Sequence, residues 1–353
     1  MKRLRFILED KIRNLVLWTD YILYLLFNPF KFKQFPKEIK KILVVELLEI
    51  GDLIVATPVI RTLKENYPNA EVDVLVLPSM TDVISGNKNI NEIITYDNNL
   101  VSKLRQKDYD LGITLHPGSF KISLALLKGK VKYRIGCTKV GTFYGKGFFL
   151  NKKIIPNTKV QHKLEDNLDV IRPIVKTIIK KPEIFTDKNV KNKNYVVIHP
   201  GAKFITHNWI SERFAEVADY IVDKYKKTIV FTGSKKDEIL IKNIQGLMQN
   251  KSINSVGTTI KQFFAIINGA DLIVSVDTSA THVAAAFNKP VIALFGAGIP
   301  DVWYPYTEKR TVIFKDNVCI SCLKAKCTNK VNMECMKAIA VSDVKKEIDE
   351  ILR

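Results

Sequence analysis

Three short segments of this 353-residue sequence place glycine, aspartate, histidine or hydroxyl side chains directly after an apolar run. They are Gly51-Asp52, the loop His199–Trp209 and the hexapeptide Asp277–His282. In an open α/β sheet, ligands bind beyond the carboxyl ends of the strands, where the N-termini of helices point at them. The three segments therefore predict binding or catalytic sites at strand ends.

Asp52 lies where a helical pattern starts after the apolar run Ile42–Glu46. An aspartate at such a position is ordinarily an N-cap, and the pattern alone favours that structural role. Gly51 would permit a tight turn between the strand and the helix. A carboxylate can also act as a general base, if its pKa suits the step and it reaches the reacting hydroxyl. The pattern leaves both roles open.

The hexapeptide Asp277–His282 opens another predicted helix. The N–H groups and the dipole of a helix start favour phosphate, and Thr278 and Ser279 can donate hydroxyl hydrogen bonds. His282 follows Thr278 by four residues and shares its helix face, so it can approach the same ligand. An Asp277 N-cap followed by a core-facing histidine is the structural alternative, and the pattern does not separate the two.

The elements that must position these residues alternate between strand and helix from residue 41 onward. This alternation predicts an α/β fold with parallel sheets, and the chain is long enough for two domains. The polar, aperiodic segment 181–194 is the predicted linker. The predicted order is a basic amphipathic segment 1–40, a domain 41–180, the linker, a second domain 195–340 and an amphipathic helix 341–353.

Together these segments resemble the heptosyltransferase-like glycosyltransferases of family 9, whose best-known members transfer ADP-heptose to lipopolysaccharide core. EIGDLIVATPVIRTLK looks like the N-terminal signature of the family, and the resemblance covers roughly residues 41–340. It implies a GT-B fold, in which two Rossmann-like domains face one cleft. It also implies that the first domain binds the acceptor and the second the nucleotide-sugar donor. In this class the last helix often crosses back to the first domain.

The resemblance assigns roles to individual residues. Asp52 would be the general base that takes the proton of the acceptor hydroxyl as this attacks the anomeric carbon. Ser279 stands where the family usually has glycine, which leaves the closeness of the phosphate approach open. The residues that would contact the donor diphosphate are Asp277, Thr278, Ser279 and His282. Asp237 or Glu238 would lie near the base or ribose, unless they only form a charged first helical turn. Weaker features place Gly51, His116 and Arg134 on the acceptor side.

His207 is the main departure from the family pattern. The family has a lysine two residues before tryptophan, where it faces the donor phosphates, and here that position is His207. A histidine titrates near neutrality, so His207 would stabilise a leaving diphosphate only when protonated. Lys203 in the same loop would be a substitute, or the donor differs from ADP-heptose. The structural alternative is a plain loop that buries Trp209.

The activity that the resemblance implies is inverting, metal-independent transfer of heptose or a related sugar. The donor would be a nucleotide-diphosphate sugar, the acceptor a lipid-linked glycan such as lipopolysaccharide core, and no cofactor would take part. Two alternatives are a non-catalytic sugar-nucleotide-binding protein at the membrane and a nucleotide-sugar epimerase of the same fold. His207 and Ser279 motivate the first alternative, whereas Asp52, Asp277 and His282 argue against a decayed site.

The net charge of +19 favours polyanionic partners. No nucleic-acid-binding signature accompanies it, so nucleic acid is not a predicted partner. The segment Leu15–Phe30 is apolar and aromatic between basic flanks, but it is shorter than the about 20 residues that span a bilayer. This favours a helix in the interface of an anionic membrane, with packing on the protein's own core as the alternative. With no cleavable signal peptide and an odd number of cysteines, the predicted location is cytoplasmic, at the inner face of the cytoplasmic membrane.

Two further patterns raise the question of a metal. Four of the five cysteines cluster near the C-terminus, namely Cys319, Cys322, Cys327 and Cys335. Such thiols can hold zinc or an iron–sulfur cluster, but their irregular spacing favours free thiols or a local staple. Asp108-Tyr109-Asp110 matches a metal signature of another glycosyltransferase fold. Because it precedes a strand, we interpret it as chance and predict no divalent metal requirement.

Overall fold

The computed structural model describes the chain except residues 1–14, 16, 17, 20, 116–119, 138–146, 155–159, 187–193 and 317–320. The chain forms two compact units, Met1–Lys180 and Lys181–Arg353. Each unit contains one six-stranded sheet together with its helices. The acceptor and donor roles of the two units stay predictions.

The first unit has parallel strands in the order β3-β2-β1-β4-β5-β6 once they are numbered along the chain. They are β1 (Lys41–Val45), β2 (Glu71–Val76), β3 (Glu92–Thr95), β4 (Leu111–Thr114), β5 (Tyr133–Cys137) and β6 (Lys152–Ile154). The helices are α1 (Ile50–Asn66), α2 (Thr81–Ile84), α3 (Leu100–Lys107), α4 (Phe120–Lys128) and α5 (Lys163–Ile171), with 3-10 turns at Pro78–Met80 and Arg172–Ile174. Residues 18, 19 and 21–27 are also helical.

Strand β1 lies at the centre of this sheet because its apolar run can be buried on both faces. Leu43 and Val45 belong to an apolar cluster with Leu104 of α3 and Leu126 of α4. Side chains alternate along a strand, so the even-numbered residues of β1 face the other side of the sheet. Helices α1 and α5, which pack against each other, cover that side.

Helix α1 keeps a proline in its interior. Pro58 has no N–H group to donate to the carbonyl of Ile54. The hydroxyl of Thr57 donates to that carbonyl instead, at 2.7 Å. The Thr-Pro pair is therefore accommodated in a buried helix, and α1 runs on from the end of β1 to Asn66.

The second unit repeats this architecture. Its parallel strands are β7 (Tyr195–His199), β8 (Thr228–Gly233), β9 (Ile253–Val256), β10 (Leu272–Val276), β11 (Val291–Leu294) and β12 (Arg310–Ile313). Its helices are α6 (Ser211–Tyr225), α7 (Glu238–Leu247), α8 (Ile260–Gly269), α9 (Ser279–Ala286), α10 (Pro300–Trp303), α11 (Glu334–Lys337) and α12 (Val341–Leu352), with 3-10 turns at Ile205–His207 and Lys235–Asp237. The strand order is β12-β11-β10-β7-β8-β9.

Both sheets have the doubly wound order of a Rossmann fold. The order reverses between β1 and β4 in the first sheet and between β7 and β10 in the second. Ligands bind outside the carboxyl ends of the strands at such a reversal. The prediction of two Rossmann-like α/β units is therefore confirmed, and the loops after these four strands are the first place to look for a site.

The last helix, α12, packs on α6. The hydroxyl of Tyr220 donates to the carboxylate of Asp349 at 2.7 Å, and Val344 and Ile348 enter the apolar core of the second unit. Helix α12 therefore buries its apolar face within the second unit. The expectation that the last helix crosses back to the first domain stays a prediction. In the described part of the chain, no helix combines the length and apolar character needed to cross a bilayer.

Candidate functional site

Asp277 and His207 meet at the carboxyl edge of the second sheet. Asp277 follows β10, and its backbone N–H donates to the carbonyl of Leu294 at 3.1 Å. The carboxylate Oδ2 lies 3.4 Å from Nδ1 of His207, which ends the 3-10 turn after β7. Both side chains are largely buried, with about an eighth of their surface exposed, at 12% and 13%. Two segments that were separate candidates in the sequence therefore form one cluster.

Gly298 closes this cluster on a third side. A Cβ atom built on Gly298 would collide with Oδ2 of Asp277 and would lie 3.4 Å from Cε1 of His207. The backbone of the loop after β11 therefore packs directly on the carboxylate. Nothing in the local sequence singles out Gly298, because its closeness to Asp277 depends on a contact between separate loops.

The start of α9 presents hydroxyl groups beside Asp277. Thr278, and not Asp277, is the N-cap, and its hydroxyl accepts from the backbone N–H of Ala280 at 3.3 Å. The structural alternative of an Asp277 cap is therefore wrong, which leaves this carboxylate available to His207. Ser279 is the first helical residue and is partly exposed. His282 is 4% exposed, with its ring edge-on to Trp303 at 5.9 Å, so its ring belongs mainly to the packed interior.

The loop after β7 is fastened at several points. Asn208 accepts from the N–H of Ala202 at 3.0 Å, and the hydroxyl of Thr206 donates to the carbonyl of Lys324 at 2.7 Å. Trp209 is buried and donates to the carbonyl of Ile339 at 3.1 Å. These contacts hold His207 in place, whereas the other basic candidate, Lys203, is exposed on the same loop.

Asp237 and Glu238, which the sequence could not separate, have different surroundings. Asp237 accepts from the N–H and the hydroxyl of Ser234, both at 2.7 Å, and its carboxylate packs against Gly201 after β7. Glu238 is exposed and pairs with Lys242 at 2.7 Å, which lowers the pKa of Glu238. The structure therefore brings Asp237, but not Glu238, to the carboxyl edge of β7.

His199 is a buried histidine at that same edge, and the sequence analysis did not propose a role for it. Its Nδ1 lies 2.9 Å from the hydroxyl of Thr232. Burial lowers the pKa of His199 to about 4, although the charge of Asp237 works in the opposite direction. His199 is therefore neutral at neutral pH and positions its neighbours rather than adding charge.

In the first unit, Asp52 lies in the first turn of α1. Glu49 is the N-cap, so the structural interpretation of Asp52 as the cap is wrong. Gly51 is already helical and does not have the left-handed backbone of a tight turn. Burial raises the pKa of Asp52, and the positive charge of Lys163 opposes that rise. Asp52 therefore has the raised proton affinity that a general base needs.

Glu46 is the functional candidate that the sequence analysis missed. It follows β1 directly, is 1% exposed, and neither carboxylate oxygen has a hydrogen-bond partner among the described residues. Burial raises the pKa of Glu46 to about 8, and the charge of Asp52 adds to the rise while Lys163 opposes it. The backbone N–H groups of Leu47 and Leu48 lower the pKa of Glu46 and so favour its carboxylate. Neither N–H group is placed well enough to form a hydrogen bond with it. The sequence signal that could have identified Glu46 is its position, because an acidic residue here ends a strongly apolar strand.

The other acceptor-side candidates are less accessible. Arg134 is 3% exposed, and its guanidinium donates to the carbonyls of Phe149 and Val131 at 2.7 and 2.8 Å. Burial lowers the pKa of Arg134 to about 10. These contacts hold β5 against the chain around β6, and an acceptor contact of Arg134 stays a prediction. His116 lies outside the described residues.

The two possible metal patterns have separate surroundings. Asp110 accepts from the N–H groups of Lys40 and Lys41 at 2.8 and 3.0 Å, at the amino edge of the first sheet and away from Asp52. Cys335 is buried beside Gly296, and Sγ of Cys327 accepts from a backbone N–H at 3.3 Å. Cys319 lies outside the described residues. Among the described residues, which include Cys322, no group of three His, Cys, Asp or Glu side chains is arranged to hold a metal ion.

Sequence comparison connects this chain with known proteins. The model of a family described as "Glycosyltransferase family 9 (heptosyltransferase)" matches residues 98–332. Lipopolysaccharide heptosyltransferase 3 of Escherichia coli K12 is 29% identical over 299 residues, which cover 73% of this chain and 83% of that protein. Lipopolysaccharide core heptosyltransferase OpsX of Haemophilus influenzae is 25% identical over 305 residues, covering 78% of this chain and 84% of that protein.

Solved structures share the fold. A family 9 glycosyl transferase from Veillonella parvula superposes with a TM-score of 0.75 at 20% identity, covering 89% of this chain and 97% of that chain. ADP-heptose lipopolysaccharide heptosyltransferase II of Escherichia coli gives a TM-score of 0.73 at 23% identity, covering 88% of this chain and 98% of that chain. The predicted α/β fold of GT-B type is therefore confirmed.

Proposed function

The chain belongs to glycosyltransferase family 9, and we propose that it transfers a heptose or a related sugar from a nucleotide-diphosphate donor to a lipid-linked glycan. The relatives whose names specify lipopolysaccharide support lipopolysaccharide core as the acceptor class. The cluster of Asp277 and His207 at the start of α9 is the observation that carries this proposal. It joins a basic ring, two hydroxyls and a helix N-terminus where a diphosphate would bind.

In this mechanism Asp52 is the general base. An acceptor hydroxyl attacks the anomeric carbon, and Asp52 takes the hydroxyl proton as the new C–O bond forms. The bond from the anomeric carbon to the diphosphate oxygen breaks on the opposite face, so the configuration inverts. The raised pKa of Asp52 supports this role, because a base is most effective when its pKa approaches the working pH.

The second unit would stabilise the leaving diphosphate. The N–H groups at the start of α9 and the hydroxyl of Ser279 would donate to phosphate oxygens, where the helix dipole also favours negative charge. Asp277 holds the His207 ring beside this helix start, and exposed Lys203 extends from the same loop. Preorganised donors of this kind act where negative charge develops. We propose that they do so without a divalent metal.

We further propose that the N-terminal helical stretch places the enzyme on an anionic membrane. One face of the described residues 18, 19 and 21–28 docks on the first unit: Tyr24 is 7% exposed and donates to the carbonyl of Asn151 at 2.8 Å. Asn28, one turn later, donates to the carbonyl of Leu150 at 3.0 Å. These two anchors leave the opposite helix face directed away from the unit.

That opposite face is apolar instead of polar. Trp18, Ile22 and Leu26 recur at helical spacing and are 46%, 50% and 67% exposed. Lys31 and Lys33 follow the helix, and Phe32 between them is 80% exposed. Contiguous exposed apolar surface rimmed by polar residues marks an interaction site, and aromatic side chains between lysines suit the headgroup region of an anionic bilayer. The inner face of the cytoplasmic membrane, where lipid-linked glycans are available, is the proposed location.

Thermal-shift titration with a panel of sugar nucleotides and nucleoside diphosphates tests the donor site. A ligand that binds only the native state stabilises it by mass action and so raises the melting temperature. At a ligand concentration of a hundred times its Kd, the free energy of unfolding rises by about 2.7 kcal/mol. We expect one nucleotide to stabilise the wild type and the control Asp223→Ala, an exposed residue on α6, but not Asp277→Ala. The proposed donor site would be contradicted if a nucleotide stabilised all three proteins equally. It would also be contradicted if no nucleotide stabilised any of them.

A further inference from the structure

Glu46 and Asp52 lie on the same side of the first sheet. Leu43 and Val45 face the cluster formed with α3 and α4, so alternation along the chain turns Glu46 toward α1 and α5. Asp52 lies in the first turn of α1, six residues later. The short connection between β1 and α1 therefore brings two carboxyl groups into one buried region, and their charges affect each other.

Lys163 adds the positive charge of this region. It is the first residue of α5, and its ammonium group donates to Oδ1 of Asn167 at 2.9 Å. The amide of Asn167 donates in turn to the carbonyl of Val55 at 3.4 Å, about one turn along α1 from Asp52. Asn167 therefore ties Lys163 to the helix that carries Asp52.

Both Glu46 and Lys163 are unfavourable where they stand. A buried carboxyl group whose oxygens lack partners loses the hydrogen bonds that it makes to water in the unfolded chain. A cation in the first turn of a helix opposes the helix dipole, which favours acidic residues there. Locally costly features of this kind concentrate at functional sites. The residue that the two share as a neighbour is Asp52, the proposed base.

We propose that Lys163 and Glu46 are positioning residues that set the charge of Asp52: Lys163 keeps it ionised, and neutral Glu46 avoids a second negative charge beside it. This inference rests on the proposed role of Asp52. The charged groups that act on Asp52 are Lys163 of α5 and Glu49 at the start of α1, and the charge of Asp52 acts in turn on Glu46 after β1. Before each transfer this arrangement leaves Asp52 free of a proton and able to accept one.

Lys163 matters because burial favours the protonated form of Asp52. Desolvation disfavours the carboxylate, and the loss of the positive charge would leave only the backbone amides to oppose it. Asp52 would then carry a proton over more of the working pH range and could not take one from the acceptor. Glu46 contributes by staying protonated up to about pH 8, so that it adds no like charge below that pH.

The experiment is a carboxyl-carbon NMR titration of the full chain with labelled aspartate, in which Asp52→Asn assigns the Asp52 signal. We expect Lys163→Met to move the Asp52 midpoint upward by about one pH unit or more, and Lys163→Arg to restore it. The control Lys103→Met removes an exposed lysine that pairs with Asp97 and should change nothing at Asp52. Glu46→Gln should leave the midpoint unchanged, because it replaces a group that is already neutral.

An Asp52 midpoint that is the same in wild type and Lys163→Met would overturn the inference, as would a downward shift in Glu46→Gln of the size expected for a lost negative charge. The acidic limb of the kcat/KM profile should move with the midpoint in Lys163→Met. The NMR result does not depend on turnover. If Asp52→Asn were fully active and the expected NMR shift in Lys163→Met were still observed, Asp52 would not be the base. The effect of Lys163 on the charge of Asp52 would nevertheless be confirmed.

Discussion

At the scale of single residues, two carboxyl groups in the first unit have different surroundings. Asp52 is partly exposed and lies near a cation, whereas Glu46 is fully buried without hydrogen-bond partners in the described chain. Burial raises the pKa of both groups, and that of Glu46 reaches about 8. Pairs of acidic groups whose surroundings separate their pKa values commonly mark a division between an ionised and a neutral role. Here the ionised member is the proposed base.

Asp52→Asn should fold and lose transfer. The amide keeps the shape of the side chain and removes a carboxylate whose burial is unfavourable, so the melting temperature should not fall. Turnover should fall by about 10²–10⁴, the usual contribution of a general base. Rates measured with a saturating donor and acceptor test this, and near-wild-type turnover would remove Asp52 from the mechanism.

Glu46→Gln should change how stability depends on pH. The pKa of Glu46 is raised from 4.5 to about 8 in the folded chain, so its protonated form stabilises the fold fully below about pH 4.5. That contribution is lost as the pH rises through about 8, by up to about 1.4 kcal/mol for each pH unit. Urea unfolding of both proteins at pH 5 and pH 8 should show a larger advantage of the glutamine variant at pH 8. If the two proteins differed in the free energy of unfolding by the same amount at both pH values, the pKa of Glu46 would not be raised.

At the scale of elements, each residue of the cluster formed by Asp277, His207 and Gly298 follows a strand and precedes a helix. The loop after β7, the start of α9 and the loop after β11 converge on Asp277. The convergence depends on small clearances, because Gly298 leaves no room for a side chain beside that carboxylate. We therefore expect the geometry of this cluster to respond to a single methyl group.

Gly298→Ala should weaken nucleoside-diphosphate binding at least about tenfold, a loss of about 1.4 kcal/mol. The added Cβ would displace the Asp277 carboxylate and disturb the His207 ring. Gly246→Ala is the matched control, since a Cβ at this position in α7 meets nothing within 4 Å and alanine is the better helix former. Calorimetric titration of both variants gives the comparison, and equal affinities would mean that the Asp277 cluster does not contact the nucleotide.

At the scale of the whole molecule, the chain joins two Rossmann-like units with a strongly basic composition. The net charge of +19 and the apolar helix face at residues 18–26 both favour an anionic bilayer surface. The helix itself is docked through Tyr24 and Asn28, so the alternative of packing on the protein's own core holds for one helix face. Membrane contact of the opposite face stays a proposal.

Vesicle flotation tests this membrane contact. Wild type should bind phosphatidylglycerol vesicles more strongly than phosphatidylcholine vesicles, and Ile22→Ser with Leu26→Ser should lower the binding at least about tenfold. A control with Ile239→Ser and Leu247→Ser removes two exposed apolar residues of α7 and should bind like wild type. Full binding by the double variant, or by protein that lacks residues 1–38, would contradict the proposal. Dissociation of a dimer by the double variant would instead identify a surface between two copies.

The sequence by itself determined the fold and most of the donor-side candidates. Alternating apolar and helical runs specify parallel strands, and parallel strands place their carboxyl ends at one edge of the sheet. This local information was enough to single out Asp277, Thr278 and Ser279, and the resemblance to family 9 added His207. It was also enough to place Asp52 beside the end of β1, since only six residues separate it from Glu46.

Only the tertiary structure decided which of these residues act together. Lys163 is 111 positions after Asp52, and its charge acts on Asp52 because α5 packs on α1. The partnership of Asp277 with His207 and Gly298 likewise joins three loops. Sequence periodicity reports which face of an element is buried, whereas the pKa of a side chain depends on charges and solvent brought near it by distant parts of the chain. The roles that we propose for Glu46 and Lys163 therefore could not be predicted from local pattern.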